Sequence, residues 1–137
     1  MKNITTSGLI YIKQSKILNA GRGVYALCNI KKGEIIEKCP IIEVPRHDMA
    51  NLKESILVTY FFFFGKKKER LLIALGFGSI YNHSHNPNAI YKIKLKENTI
   101  NFIALSDIKK DEEITFNYSY GNPKNKGSLW FEVGRPK

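Results

Sequence analysis

No part of this chain limits its fold more than Leu75–Asn88, which reads L-G-F-G-S-I-Y-N-H-S-H-N-P-N. These fourteen residues hold two glycines, two aromatics, two histidines, three asparagines and a proline. Gly76 and Gly78 permit close backbone approach or positive φ. Asn82, Asn86 and Asn88 offer amide edges and favour turns. Pro87 pushes Asn86 towards an extended conformation. Few regular elements need that mixture, so the stretch reads as irregular backbone built to hold something. Apolar Leu71–Leu75 precedes it and β-prone Ala89–Leu95 follows.

Around that stretch the pattern is of many short strands. Gly8–Lys13 alternates as a first strand and Val24–Leu27 as a second, with turn-rich Ser15–Gly23 between them. Glu34–Lys38 and Pro40–Val44 are β-prone, and Pro45 can open a short helix through about Leu52. Ile56–Phe64 is β-branched and aromatic, and periodicity does not decide between strand and helix. Lys66–Lys68 form a charged turn that guards this sticky run against aggregation. Ala89–Lys96 and Thr99–Leu105 pair across a Glu97-Asn98 turn, and Glu113–Tyr118 is a last strand. The segment Ala26–Glu34, A-L-C-N-I-K-K-G-E, recurs as Ala104–Glu112, A-L-S-D-I-K-K-D-E. Two copies are too few for a solenoid and read as equivalent corners of a small, strongly curved, mostly-β structure.

A length of 137 residues fits one domain with a modest core, and 43% hydrophobic residues mark a globular chain. The run Ile56–Phe64 is far below the ~18 residues of a membrane span, and polar Met1–Ser7 is no secretory signal. Cys28 and Cys39 show no CxxC pattern and read as buried thiols in a reducing compartment. The formal charge of +10 suits an acidic partner such as nucleic acid, but the Lys and Arg are spread along the chain, so a plain basic surface explains it equally well.

Taken singly, the motifs are weak. Gly21-Arg22-Gly23 lacks the third glycine and following helix of a nucleotide-binding unit, so a structural turn is the simpler reading. Ser84 has no G-x-S-x-G elbow around it. His83 and His85 share a strand face, but no third metal ligand is evident, and no metal is expected. Tyr118 alone is a packing residue with a wet hydroxyl.

Together they say more. A Gly-x-Gly strand, then Asn82–Asn88 as N-H-S-x-x-P-N, then Glu113–Tyr118 as E-I-T-F-x-Y, resembles the SET-domain protein-lysine methyltransferases over about Gly8–Tyr120. The wording and brevity are most similar to the small free-standing SET proteins of large DNA viruses. The resemblance implies several small curved sheets, short helices and a knot-like threading of the N-H-S stretch with the C-terminal segment. It divides the chain into a SET domain at 1–121 and a tail at 122–137 that closes over the site. It implies S-adenosylmethionine as methyl donor, bound along Ala20, Gly21, Arg22 and Gly23 and at Asn82 and His83. Tyr118 becomes the active-site tyrosine. Tyr60, Phe77, Tyr81, Tyr91, Phe116 and Tyr120 are candidate walls of a lysine channel. Phe116, where relatives carry Phe or Tyr, goes with room for more than one methyl.

The residue chemistry agrees with that implication. Methyl transfer is an in-line attack by a neutral amine, so positioning is the main requirement. A lysine amine with a pKa of ~10.4 is charged at neutral pH, and an apolar aromatic channel beside a sulfonium lowers it. A phenol near 10 is a poor proton acceptor, so Tyr118 suits orientation better than base catalysis. There are departures too. The cysteine-rich zinc segments of many relatives are absent, His85 stands where a cysteine is common, and Tyr118-Ser119-Tyr120-Gly121 departs from a frequent Tyr-Gly ending. Trp130 and Phe131 then either close the channel, alone or with a second subunit in a homodimer, or simply clasp the core.

The expected substrate is a histone tail, received by an acidic cluster of Asp107, Asp111, Glu112 and Glu113 while the basic surface grips nucleosomal DNA. The expected place is intracellular, in the nucleus or a host nucleus if the substrate is chromatin, with no membrane contact. Two other classes compete. One is a non-catalytic module on the same scaffold binding peptide or nucleic acid, against which Tyr118, Asn82 and His83 argue. The other is a basic β protein for nucleic acid, which the uncharged aromatic run Tyr60–Phe64 disfavours.

Overall fold

The computed structural model describes residues 3–65 and 69–118. The expected Lys66–Lys68 turn, Tyr120 and the 122–137 tail with Trp130 and Phe131 lie outside the described residues.

The described chain is mostly β. Its strands are β1 (Ile10–Gln14), β2 (Arg22–Ala26), β3 (Ile35–Val44), β4 (Phe61–Phe64), β5 (Arg70–Ala74), β6 (Asn82–His83), β7 (Ala89–Lys94), β8 (Thr99–Ala104) and β9 (Glu113–Phe116). They form a four-stranded sheet in the order β1-β2-β9-β6 and a five-stranded sheet in the order β4-β5-β3-β8-β7. Glu34–Lys38 and Pro40–Val44 are not two strands: β3 runs through both, and Pro40 marks a change of partner. Ile35–Pro40 pair with β8, and Ile41–Val44 pair with β5. Proline lacks the N–H a continuous ladder needs, so it fits this crossing point. The sheet is thus two small sheets sharing one bent strand.

Ile56–Phe64, undecided between helix and strand, is both: a 3-10 turn at Ile56–Thr59, capped by the Ser55 hydroxyl accepting from the Leu57 N–H, and then β4. The helix after Pro45 is a 3-10 turn at Arg46–Asp48 followed by α1 (Met49–Lys53). Within the described residues no helix is long and apolar enough to cross a membrane.

The repeated segments meet each other. Ile30 and Ile108 exchange both backbone hydrogen bonds, at 2.8 and 2.7 Å. Gly33 N–H donates to Ala104 O as Asp111 N–H donates to Ala26 O. Asn29 accepts from Lys110 N–H as Asp107 accepts from Lys32 N–H. The final turn of each copy holds a residue at positive φ, Gly33 at 89° and Asp111 at 68°. The sequence repeat is therefore a local two-fold clasp that brings the end of β2 against β9 and the end of β8 against β3.

Between the sheets lies one apolar core that includes Val24, Ile36, Leu72, Ile100, Ile108 and Ile114. Its aromatic part is Phe62, Tyr81, Tyr91, Phe102 and Phe116, with Phe116 5.9 Å from Phe62 and 5.5 Å from Tyr91 between ring centroids. Both cysteines are free: Cys39 is buried, whereas Cys28, expected to be buried, is only half-buried.

Candidate active site

The site forms where two distant segments run side by side. β6 pairs parallel with β9, Asn82 opposite Thr115 and His83 opposite Phe116. Parallel pairing of strands this short needs help from side chains, and Asn88 supplies it. Its amide donates to Glu113 O and accepts from Thr115 N–H, both at 2.9 Å, imitating a ladder rung.

Beyond β9 the chain turns Tyr118 back onto β6. Tyr118 N–H donates to His83 Nδ1 at 3.0 Å, and the Tyr118 hydroxyl donates to Tyr81 O at 2.6 Å. Burial first, then Tyr60 and Glu113, push the Tyr118 phenol well up, so it stays protonated. His83 is 7% exposed. Burial, and then His85, hold its imidazole down at about 4, so it is neutral at physiological pH. With Nδ1 accepting, the proton sits on Nε2, and this buried N–H has no partner among the described residues.

On the other side of Asn82 lies the loop before β2. Ser15 N–H donates to Gly21 O at 2.8 Å, closing the loop, with Asn19 at φ 61° and Gly21 at φ 74°. Ala20 is buried beneath it. Asn82 Nδ2 donates to Arg22 O at 3.0 Å and to Glu113 Oε1 at 2.8 Å. A Cβ on Gly23 would collide with the Glu113 carboxylate, so the second glycine of the Gly-x-Gly pair is there for that group.

The arrangement joins Arg22, Gly23, Asn82, His83, Tyr118 and the Tyr81 carbonyl through hydrogen bonds or direct contact. Phe116 lies 5.0 Å from the Tyr118 ring and leads into the aromatic core with Tyr91. Tyr60 lies near enough to Tyr118 to help keep its phenol protonated. The Tyr81 side chain points the other way: its ring stacks on Phe102 at 4.2 Å and its hydroxyl donates to Glu37 at 2.9 Å. Phe77 is half-buried, its N–H held by the same Glu37.

Of the expected acidic landing patch, Asp107, Asp111 and Glu112 are exposed, whereas Glu113 is half-buried. Asp107 caps Lys32 N–H, Asp111 accepts from the Tyr11 hydroxyl, and Glu112 caps Lys109 N–H. Glu113 turns inward to Ser15, Tyr25 and Asn82. Sequence reasoning missed Glu37 and the inward role of Glu113. The signal was there in the glycines, since Gly76 and Gly23 each make room for one of these carboxyl groups.

Two small sheets threaded by parallel β6–β9 pairing, with a buried tyrosine hydroxyl on a backbone carbonyl and a neutral histidine beside it, define a SET domain. The chain belongs to the SET-domain family, whose profile matches residues 21–119. It is a protein-lysine methyltransferase with S-adenosylmethionine as its donor. The histone-lysine N-methyltransferase specific for H3 lysine-37 of Schizosaccharomyces pombe is 34% identical over 113 residues, covering 82% of this chain and 71% of that protein. A crystal structure of a candidate histone methyltransferase from Plasmodium falciparum superposes with a TM-score of 0.60 at 35% identity, over 80% of this chain and 96% of that one. A humanized mutant of the Polycomb Repressive Complex 2 of Chaetomium thermophilum bound to the inhibitor GSK126 contains the same fold, with a TM-score of 0.69 at 21% identity, over 87% of this chain and 16% of that one.

Proposed function

We propose that this domain methylates a lysine of a histone, working on chromatin in the nucleus, and that the residues around β6 and β9 carry the reaction. S-adenosylmethionine supplies a methyl group on a sulfonium. The residues suit that donor: Gly21 stands at φ 74° in the loop before β2, and a buried His83 N–H lacks a partner among the described residues. Ala20, Gly21, Arg22 and Gly23 line its length, and Asn82 and His83 meet its adenine end.

Tyr118 is the catalytic residue. Its phenol stays protonated and tied to the Tyr81 carbonyl, so it orients the reacting atoms rather than taking a proton. The Tyr81 carbonyl faces the same point and offers weak C–H···O acceptance to a transferring methyl. Tyr60, Phe77, Tyr91 and Phe116, with the Tyr81 backbone, form the apolar walls. Such walls disfavour the ammonium form of an entering lysine and deliver it as a neutral amine. The observation that carries this reading is the pair of Tyr118 hydrogen bonds, to His83 and to Tyr81. The test is transfer of labelled methyl to core histones. Tyr118→Phe should lower the rate by about 100-fold while donor binding persists, because only alignment is lost. An unchanged rate refutes the role.

A DNA contact fits one face of the molecule. On one face of β3, β8 and β7, exposed Lys38 and Lys92 flank buried Asn101 in one row, and Pro40 and exposed Lys94 flank buried Thr99 in the next. The third row is Ile35, Ile103 and Ile90, so these nine positions hold three lysines and no carboxylate. Reversing the three lysines should lower the salt slope of nucleosome binding by about three and leave methylation of a free histone tail unchanged.

A further inference from the structure

Three side chains among the described residues aim a donor at the Glu113 carboxylate. Ser15 Oγ donates to it at 2.9–3.0 Å and Asn82 Nδ2 at 2.8 Å, and the Tyr25 hydroxyl divides its one proton between Glu113 at 3.3 Å and Gln14 O at 3.2 Å. Each donor comes from a different piece of chain. Ser15 closes the loop that ends at Gly21, Tyr25 sits on β2, and Asn82 sits on β6. Ser15 also accepts from Ile17 N–H at 3.0 Å, so the same hydroxyl fixes the loop's first turn. Gly23 contributes only by having no side chain, since a Cβ there would fill the carboxylate's place. The Asn82 amide is shared between Glu113 and Arg22 O, which sets its rotation about the β6 backbone.

We infer that Glu113 is a positioning residue for the methyl donor: one carboxylate fastens the loop, β2 and β6 in the register that the donor requires. The inference rests on the assignment of Ala20–Gly23, Asn82 and His83 to donor binding. Glu113 touches neither reacting atom, so its loss should act on donor affinity. Tyr118 keeps its own bonds to His83 and Tyr81, so turnover at saturating donor should be spared.

Glutamine is the informative replacement. Glu113→Gln keeps the shape but offers one acceptor oxygen and an NH2 that faces other donors. Losing charge-assisted hydrogen bonds on this scale should weaken the binding of S-adenosylhomocysteine to the full chain about tenfold by calorimetry. KM for the donor should rise in step, while kcat stays within about threefold. Ser15→Ala, which removes one donor and keeps the carboxylate, should shift affinity in the same direction by less. A purely structural role would lower the melting temperature and the active fraction but leave KM where it was. An unchanged dissociation constant in a folded Glu113→Gln protein overturns the inference. If that variant does not fold, an unchanged constant in Ser15→Ala overturns it instead. Wild-type protein that binds no S-adenosylhomocysteine removes the donor-site assignment itself, a separate result.

Discussion

Glu37 and Glu113 are two inward-turned carboxyl groups built into the molecule by the same device and put to different ends. Each sits where a glycine leaves room, Gly76 for Glu37 and Gly23 for Glu113. Each gathers a tyrosine hydroxyl and a nitrogen donor: Tyr81 and Phe77 N–H for Glu37, Tyr25 and Asn82 for Glu113, with Ser15 added. Glu37 is buried, and so is the Tyr81 hydroxyl that it holds. It holds the L-G-F-G turn and, through Tyr81, the carbonyl that receives Tyr118. Glu113 opens β9, an inner strand of the four-stranded sheet, and holds the segments proposed to bind the methyl donor. On the proposed donor assignment, the buried carboxyl group serves stability and the half-buried one ligand geometry.

Removing Glu37 should be the costlier change. Glu37→Ala strands a buried phenol and a backbone N–H, and should cost about 3 kcal/mol in denaturant unfolding. Glu113→Ala should cost clearly less stability; an equal loss would erase the distinction between the two. Gly76→Ala tests the same core clamp from the other side. It forces a Cβ into a left-handed backbone at φ 64° and against Glu37, for about 2 kcal/mol. A pH titration separates the site from both clamps. The imidazole of His83 takes a proton near 6.5 when unfolded and only near 4 when folded. Between those values the unfolded chain binds more protons, so stability is full above pH 6.5 and falls as pH drops towards 4. The loss should be on the order of 2 kcal/mol, and His83→Gln should abolish that component. The smallest effect belongs to the exposed pair of Arg70 and Glu43, whose 2.6 Å contact leaves both groups in water. Arg70→Ala should leave the melting temperature within error, in contrast to either inward carboxyl group.

Much of the fold could be read before any coordinates. Strand positions, the mostly-β class and the special character of Leu75–Asn88 follow from alternation, β-branching and turn chemistry, which are local properties. The repeat of Ala26–Glu34 in Ala104–Glu112 was equally visible, but not that the copies clasp each other, because pairing partners are not written in either copy. The same limit explains β3. Two β-prone stretches around Pro40 look like two strands until β8 and β5 take one half each. It also explains the acidic residues near the last strand, which share a sequence neighbourhood and yet face four different partners.

By itself the amino-acid sequence determined which residue types stand at the site and which family they belong to, since a glycine pair, N-H-S-x-x-P-N and E-I-T-F-x-Y are chemical statements at fixed spacing. Tertiary structure alone decided that Tyr118 rests on the Tyr81 carbonyl and His83, that the Tyr81 ring turns into the core, and that Glu113 faces inward. The reason is that side-chain direction follows from which strands pair and in what register. Strand pairing here joins segments some thirty residues apart, and burial settles it for the whole chain at once.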